Sequence, residues 1–326
     1  MDFSGSVPEL LDLQSDVVAR HQLVEAGLAE TDIRRLLRRH DLVRALPGVY
    51  VAHTGPLTWQ QRAWAAVLWA GPAALCGVSA RRAADGPGRV DVDRQPIHVA
   101  IAHARRLAPR PGIVVHRARG LQEQVLWNAA PPRQRVEEAV LDLALAADDR
   151  LDSVSHIADL LGARLSRADR LAEALERRPR VPDRRFLEAV IADAEAGTCS
   201  VLEHGYLTLV EQAHRLPAAA RQVRDSRKGP LYRDVCYEEM ATIVELDGRL
   251  HHSRTRDRDR DMERDLDAAV DGSVTARLGW GQVYGRPCST AQKVGALLIA
   301  RGWTAQPAPC RFCVQSPSSG SLAVTW

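Results

Sequence analysis

Between Ser200 and Trp303 the residue pattern runs helix, three strands, helix, strand, helix. That order restricts the region to a mixed sheet with helices packed on it. "SVLEHGYLTLVEQAH" has helical spacing. "ARQVRD" (220–225), "LYRDVCY" (231–237) and "ATIVEL" (241–246) read as strands separated by "SRKGP" and "EE". The charged run "RTRDRDRDMERDLDAAV" reads as the next helix and "VTARLGW" (274–280) as the fourth strand. "STAQKVGALLIARGW" is the closing helix, stopped at Gly302.

The third strand ends on paired acids. Alternate residues of a strand face the same way, so Glu245 and Asp247 share a side while Val244 and Leu246 point to the other. Folding "YRDVCY" back over Glu238-Glu239 sets Asp234 opposite Glu245, about 4.5–5.5 Å away between facing positions. Three carboxylates on one side of a hairpin repel by several kcal/mol when partly buried, unless a cation lies between them. Oxygen ligands of this kind suit Mg²⁺ or Mn²⁺, and a site of this type assists in-line attack on a phosphodiester. Each residue also has a plain reading. Ser200 to Glu203 matches a capping box, Asp247-Gly248 a turn, and His252 a surface histidine.

The charged helix, wound up, sets Arg256, Arg260 and Arg264 in one row and Asp257, Asp261 and Asp265 in the next. Its i,i+3 pairs are worth a few tenths of a kcal/mol each. The row either pairs with itself in solvent or contacts phosphate. Leu266 and Val270 are expected to supply the helix's core contact.

Residues 8 to 52 read as three short helices and a hairpin. "PELLDL" starts on proline, "RHQLVEAG" stops at Gly27, and Thr31 is placed to cap "TDIRRLLRRHD". In that third helix Ile33, Leu36 and Leu37 share one face, while Arg34, Arg35, Arg38 and Arg39 cover the other. "LVRALPGVYVAH" follows as two strands around Pro47-Gly48. Helix, helix, basic helix and β-wing is the order of a winged helix-turn-helix, whose third helix suits a major groove. Simple solvation of a helix face is the competing reading of the arginines.

Residues 16 to about 84, through "LVEAGL", "IRRLLRR", "LPGVYV" and "LTWQQRAWAAVLWAGPAAL", resemble the AbiEi-type antitoxin N-terminal domain. That resemblance implies duplex DNA as a partner. Residues from about Ser200 to Trp303 resemble the Vsr-like (very-short-patch-repair type) branch of the PD-(D/E)xK endonucleases. By that resemblance Asp234 and Glu245 hold the metal, and Glu203 on the helix assists. His252 serves as general acid or base where the superfamily's usual lysine is missing, its position here holding Asp247.

These features give an α/β (α+β) chain. The expected parts are a winged helix at 1–88, an α/β scaffold at 89–197, a restriction-endonuclease-like mixed sheet at 198–304 and a flexible tail at 305–326. A formal net charge of +3 excludes a globally basic nucleic-acid binder, so such a partner must be met by local patches. Only Lys228 and Lys293 accompany the arginines, so a phosphate-binding surface here is built from guanidinium forks. The six cysteines are scattered and make no disulfide framework. Cys310 and Cys313 form one CxxC with Cys288 upstream, three ligands where a structural zinc needs four. Some Vsr-like enzymes carry a structural zinc, but no matching ligand spacing is evident. No signal peptide and no apolar run of roughly 18 residues is present, so the expected setting is the cytoplasm, without membrane. A second copy of the chain and an unidentified toxin are the protein partners these classes allow. Two functions follow as expectations: a metal-dependent DNA endonuclease, or an antitoxin-like regulator on a degenerate nuclease fold.

Overall fold

The computed structural model describes residues 7–86, 95–196, 198, 200–225, 231–247, 266, 268–311 and 313. The chain divides within one helix into two compact units, Met1–Leu143 and Ala144–Trp326.

The first unit opens with α1 (Val7–Leu13), β1 (Val17–Ala19), α2 (Arg20–Glu25), α3 (Glu30–Arg38), β2 (Val43–Leu46) and β3 (Val49–Val51). The strands form an antiparallel sheet in the order β1-β3-β2, which completes a winged-helix arrangement. β1 is only Val-Val-Ala, too short to show alternation in sequence, and the hairpin gives it a partner. Gly48 adopts φ +73° at the Pro47-Gly48 turn, a conformation in which a Cβ is strained. Val49, Tyr50 and Val51 are all buried behind it. α3 turns Ile33 into a core with Leu23, Leu42 and Tyr50, as its spacing predicts. Thr31 does not cap it: the helix begins one residue earlier, and the Asp32 carboxylate accepts from the N–H of Ala29 (3.2 Å).

The rest of this unit is α4 (Trp59–Ala70), β4 (Ala73–Leu75), α5 (Gly77–Asp85), β5 (Ile97–Ala102), β6 (Ile113–Ala118), α6 (Leu121–Gln124), β7 (Val125–Leu126) and β8 (Arg133–Gln134), leading into α7 (Val136–Ala146). Five strands pair in the order β6-β5-β4-β8-β7. The "LTWQQR" stretch is a helix start. Thr58 Oγ1 accepts from Gln61 N (3.2 Å), and Gln61 Oε1 accepts from Thr58 N (3.0 Å). This reciprocal cap is worth about 1 kcal/mol. The Arg82 guanidinium stacks 4.9 Å from the Trp59 ring centroid. β5 and β6 run parallel, from Ile97↔Ile113 to Ala102↔Ala118, a direction that alternation does not encode.

The second unit starts with three helices, α8 (Arg150–Gly162), α9 (Ala168–Glu176) and α10 (Arg184–Ala196). α11 (Ser200–Gly205) then continues as a π-helix, π1 (Tyr206–Gln212), where uninterrupted α-helix is predicted. β9 (Ala220–Asp225), β10 (Leu231–Tyr237) and β11 (Thr242–Leu246) form an antiparallel meander, and β12 (Val274–Leu278) lies parallel beside β11. A second π-helix, π2 (Gly281–Gly285), and α12 (Pro287–Ile299) complete the order. Leu202, Tyr206 and Val210 from the helix pack with Val235, Tyr237, Val244 and Leu246 from the sheet and with Val294 and Leu298 from α12. Each such fully buried side chain contributes about 1.5–3 kcal/mol.

Inside this core the Tyr206 and Tyr237 hydroxyls lie 2.9 Å apart. The Tyr237 hydroxyl also donates to Glu211 Oε2 (3.4 Å), which Arg221 holds at 2.8 Å. Burial raises the Glu211 carboxyl above the usual range, and Arg221 partly offsets the rise. Leu266 and Val270 are exposed, against expectation, and Ala268 is buried in their place. Leu266 and Val270 share one helix face four residues apart, and Ala268, on the opposite side, turns inward.

Candidate active-site face and thiol cluster

Sheet register decides which side each carboxylate takes. Val235 pairs with Val244 and Tyr237 with Thr242, and facing residues of an antiparallel pair share a side. Val235, Tyr237, Val244 and Leu246 point into the core, so Asp234 and Glu245 occupy the opposite face. One step beyond Val235↔Val244, the same register sets Asp234 against Glu245. Asp247 follows on that side at the end of β11. The face is closed at Ile243, half-buried at Glu245 and exposed at Asp247, so it opens at the carboxyl ends of the parallel pair β11 and β12. Open sheets commonly bind ligands at this end.

Asp234 is fixed by backbone. Its Oδ2 accepts from Leu246 N at 2.7 Å. Burial raises its carboxyl above the ordinary range and the Asp247 charge adds to this. The Leu246 N–H and the Arg277 guanidinium pull it back down. Arg277 stands next to Glu245 in the parallel register. It therefore supplies a positive charge beside these acids, a contribution that sequence spacing gave no reason to consider.

The donor chemistry, oxygen on a half-buried face, fits a hard divalent ion held by one or two carboxylates. The expected ligands are Asp234 and Glu245, with Asp247 as a further ligand or orienter. Among the described residues the one set of three or more His, Cys, Asp or Glu side chains that converges lies elsewhere. Asp234 is turned toward the Leu246 N–H, and Asp247 sits at the exposed end of its strand.

Glu203 lies half-buried on α11, the helix that covers the core face. The start of this helix also has a partner on another element. Ser200 is already helical, and the Val201 N–H donates to Asp193 Oδ2 on α10 (2.7 Å). His252, Arg256, Arg260 and Arg264 lie outside the described residues. On α3, Arg34, Arg35, Arg38 and Arg39 are all exposed. Three of them face acids: Arg34 with Glu30 (3.6 Å), Arg35 with Asp32 (3.1 Å) and Arg39 with Asp41 (3.1 Å). Arg38 is in no ion pair among the described residues.

The converging set is made by Cys288, Cys310 and Cys313 with a residue the sequence reading passed over, His214. His214 lies two residues beyond π1, far in sequence from the three cysteines it meets, so spacing carried no signal of it. In the sequence it shows only as the histidine closing the helical stretch "SVLEHGYLTLVEQAH", and the fold buries it at 1% exposure.

A winged-helix unit thus precedes a unit built on a mixed four-stranded sheet with an acidic face. No family model matches the chain, and none of the curated proteins does. Among solved structures it is similar to that of the RV2827C protein from Mycobacterium tuberculosis, with 18% identity over 61% of this chain and 79% of that one, at a TM-score of 0.36. No described helix is long and apolar enough to cross a membrane.

Proposed function

We propose that the chain binds duplex DNA through α3 and its wing, and that its second unit hydrolyses phosphodiester bonds with a divalent cation. The observation that carries this reading is the placement of Asp234, Glu245 and Asp247 on one face of the sheet, at its open end. Asp234 and Glu245 would hold Mg²⁺ or Mn²⁺, which supplies Lewis acidity toward a phosphate oxygen. The Leu246 N–H fixes the Asp234 carboxylate, and Asp247 orients the outer side of the site. Arg277 limits the repulsion among the acids. His252 is assigned the proton transfer through resemblance to the Vsr-like nucleases. The same resemblance gives Glu203 the positioning of water, a role at odds with its helix packing on the opposite, core face of the sheet. Arg256, Arg260 and Arg264 are placed on the substrate backbone by the same reading.

The regulator reading is kept because the three carboxylates do not gather into one ligand set. In it, the winged helix binds an operator and the second unit serves as scaffold. One experiment separates the two. Purified chain is incubated with supercoiled DNA in Mg²⁺ or Mn²⁺, beside Asp234→Ala and Glu245→Ala. The nuclease reading expects nicking or linearisation that each variant lowers by 100-fold or more, an order typical of lost charge stabilisation. Equal cleavage by all three sinks the site assignment. No cleavage by any, with tight salt-sensitive binding, selects the regulator.

A further inference from the structure

His214, Cys288, Cys310 and Cys313 come from three separate segments: the end of π1, the first turn of α12 and the tail beyond it. Their ligand atoms all lie within 4.8 Å of one another. Cys288 Sγ is 3.5 Å from Cys310 Sγ, Cys310 Sγ is 3.7 Å from Cys313 Sγ, and Cys313 Sγ is 3.6 Å from His214 Nε2. A disulfide needs sulfurs about 2.05 Å apart, so none of these contacts is a bridge. A tetrahedral zinc, with Zn–S about 2.3 Å and Zn–N about 2.0–2.1 Å, sets neighbouring sulfurs about 3.8 Å apart and sulfur and nitrogen about 3.6 Å apart. The three spacings of 3.5, 3.7 and 3.6 Å match edges of such a tetrahedron.

The imidazole is prepared for the role. His214 Nδ1 lies 3.1 Å from the Val210 carbonyl oxygen. A carbonyl can only accept, so the proton sits on Nδ1 and the Nε2 lone pair faces the sulfurs. This outer hydrogen bond is the usual way a histidine ligand is oriented. Cys310 and Cys313 sit on a loop that is itself held in place. Ala308 N donates to the His214 carbonyl (2.8 Å), and Cys313 N donates to the Cys310 carbonyl (3.0 Å). Pro307 lies so close over α12 that a Cβ on Gly295 would meet it at 2.2 Å. His214 and Cys310 are buried, and Cys288 and Cys313 are half-buried.

We propose that these four side chains bind one structural zinc ion that fastens the C-terminal tail to α12 and to the end of π1. Three thiolates and one imidazole from the protein fill a tetrahedral shell, leaving no position for water or substrate, so the site is structural. It is separate from the acidic face in ligand type and in the elements that supply it. Its presence and the nuclease reading stand or fall independently.

The test uses the full chain purified without chelator after growth with added Zn²⁺. Metal analysis is expected to return one zinc per chain, and Co²⁺ exchange to give the visible and thiolate charge-transfer bands of a tetrahedral S₃N site. Cys313→Ser and Cys288→Ser are expected to lose the metal, while Cys76→Ser and Cys236→Ser keep it. Circular dichroism of each variant separates loss of a ligand from loss of the fold. Chelation of the wild type is expected to speed tryptic cleavage at Arg311. Three results would overturn the proposal: wild-type chain without zinc and with all thiols free, zinc retained by both ligand variants, or a mass two units low from a disulfide among these cysteines.

Discussion

Gly205 stands at the junction of α11 and π1 with ordinary helical φ and ψ (−60°, −46°), so its backbone would accept alanine. Space is what excludes it. A Cβ built there would lie 2.6 Å from Tyr284 Cζ and Oη and 2.7 Å from Cε2. Carbon contacts are comfortable at about 3.5–4.0 Å, so the ring must retreat by about 1 Å. It is poorly placed to do so. Tyr284 donates its hydroxyl to the Val201 carbonyl (2.9 Å), stacks on Trp280 with centroids 5.4 Å apart, and tilts against Phe186 at 5.8 Å. Overpacking costs about 1–3 kcal/mol and loss of the hydroxyl bond about 1 kcal/mol. The better helix propensity of alanine returns about 1 kcal/mol. Gly205→Ala is therefore expected to destabilise the second unit by roughly 1–3 kcal/mol, which lowers Tm by about 2–4 °C per kcal/mol for a unit of this size. The assay is urea denaturation of the full chain as a double-mutant cycle with Tyr284→Ala. Once the ring is gone the same change should be neutral or mildly stabilising. A Gly205→Ala chain as stable as wild type, or a penalty that persists beside Tyr284→Ala, refutes the steric reasoning.

Two further outcomes concern the first unit. His98 Nδ1 and His116 Nε2 lie 3.0 Å apart across β5 and β6, and burial, then the charge of His116, lowers the His98 titration below the ordinary value. A depressed folded value means this contribution to stability is present above the unfolded value of about 6.5 and is lost as pH falls through the lower folded one. Denaturation midpoints of wild type should fall between pH 7 and 5 more steeply than those of His98→Gln, and parallel curves would discard the idea. For DNA binding, Arg38→Ala should weaken binding more than Arg34→Ala, because Arg34 already faces Glu30. It should also lower the slope of log K against log salt by about 0.9. Unchanged slope in both variants would remove α3 from the interface.

The periodicity of single elements was legible in the sequence. α4, β9, β10 and the third helix of the winged unit stand where spacing placed them, because a buried stripe at 3.6 or 2 residues is a local property. The winged order and the sidedness of Asp234, Glu245 and Asp247 followed from the same periods and a short turn. Direction, depth and convergence were not legible. The parallel course of β5 and β6, the burial of Ala268 in place of Leu266 and Val270, and the cap from Asp193 depend on what the neighbouring element offers.

The acidic face shows both halves of this division. Alternation put the three acids on one side, and only packing brought Arg277 beside them and turned Asp234 onto the Leu246 N–H. The thiol cluster lies at the far extreme. Cys310-x-x-Cys313 was visible as a motif, yet its partners are a cysteine at a helix start and a histidine at the end of π1. Ligands so distant in the chain are joined by the fold alone, since a metal tetrahedron is fixed by distances in space and sequence records only distances along the chain.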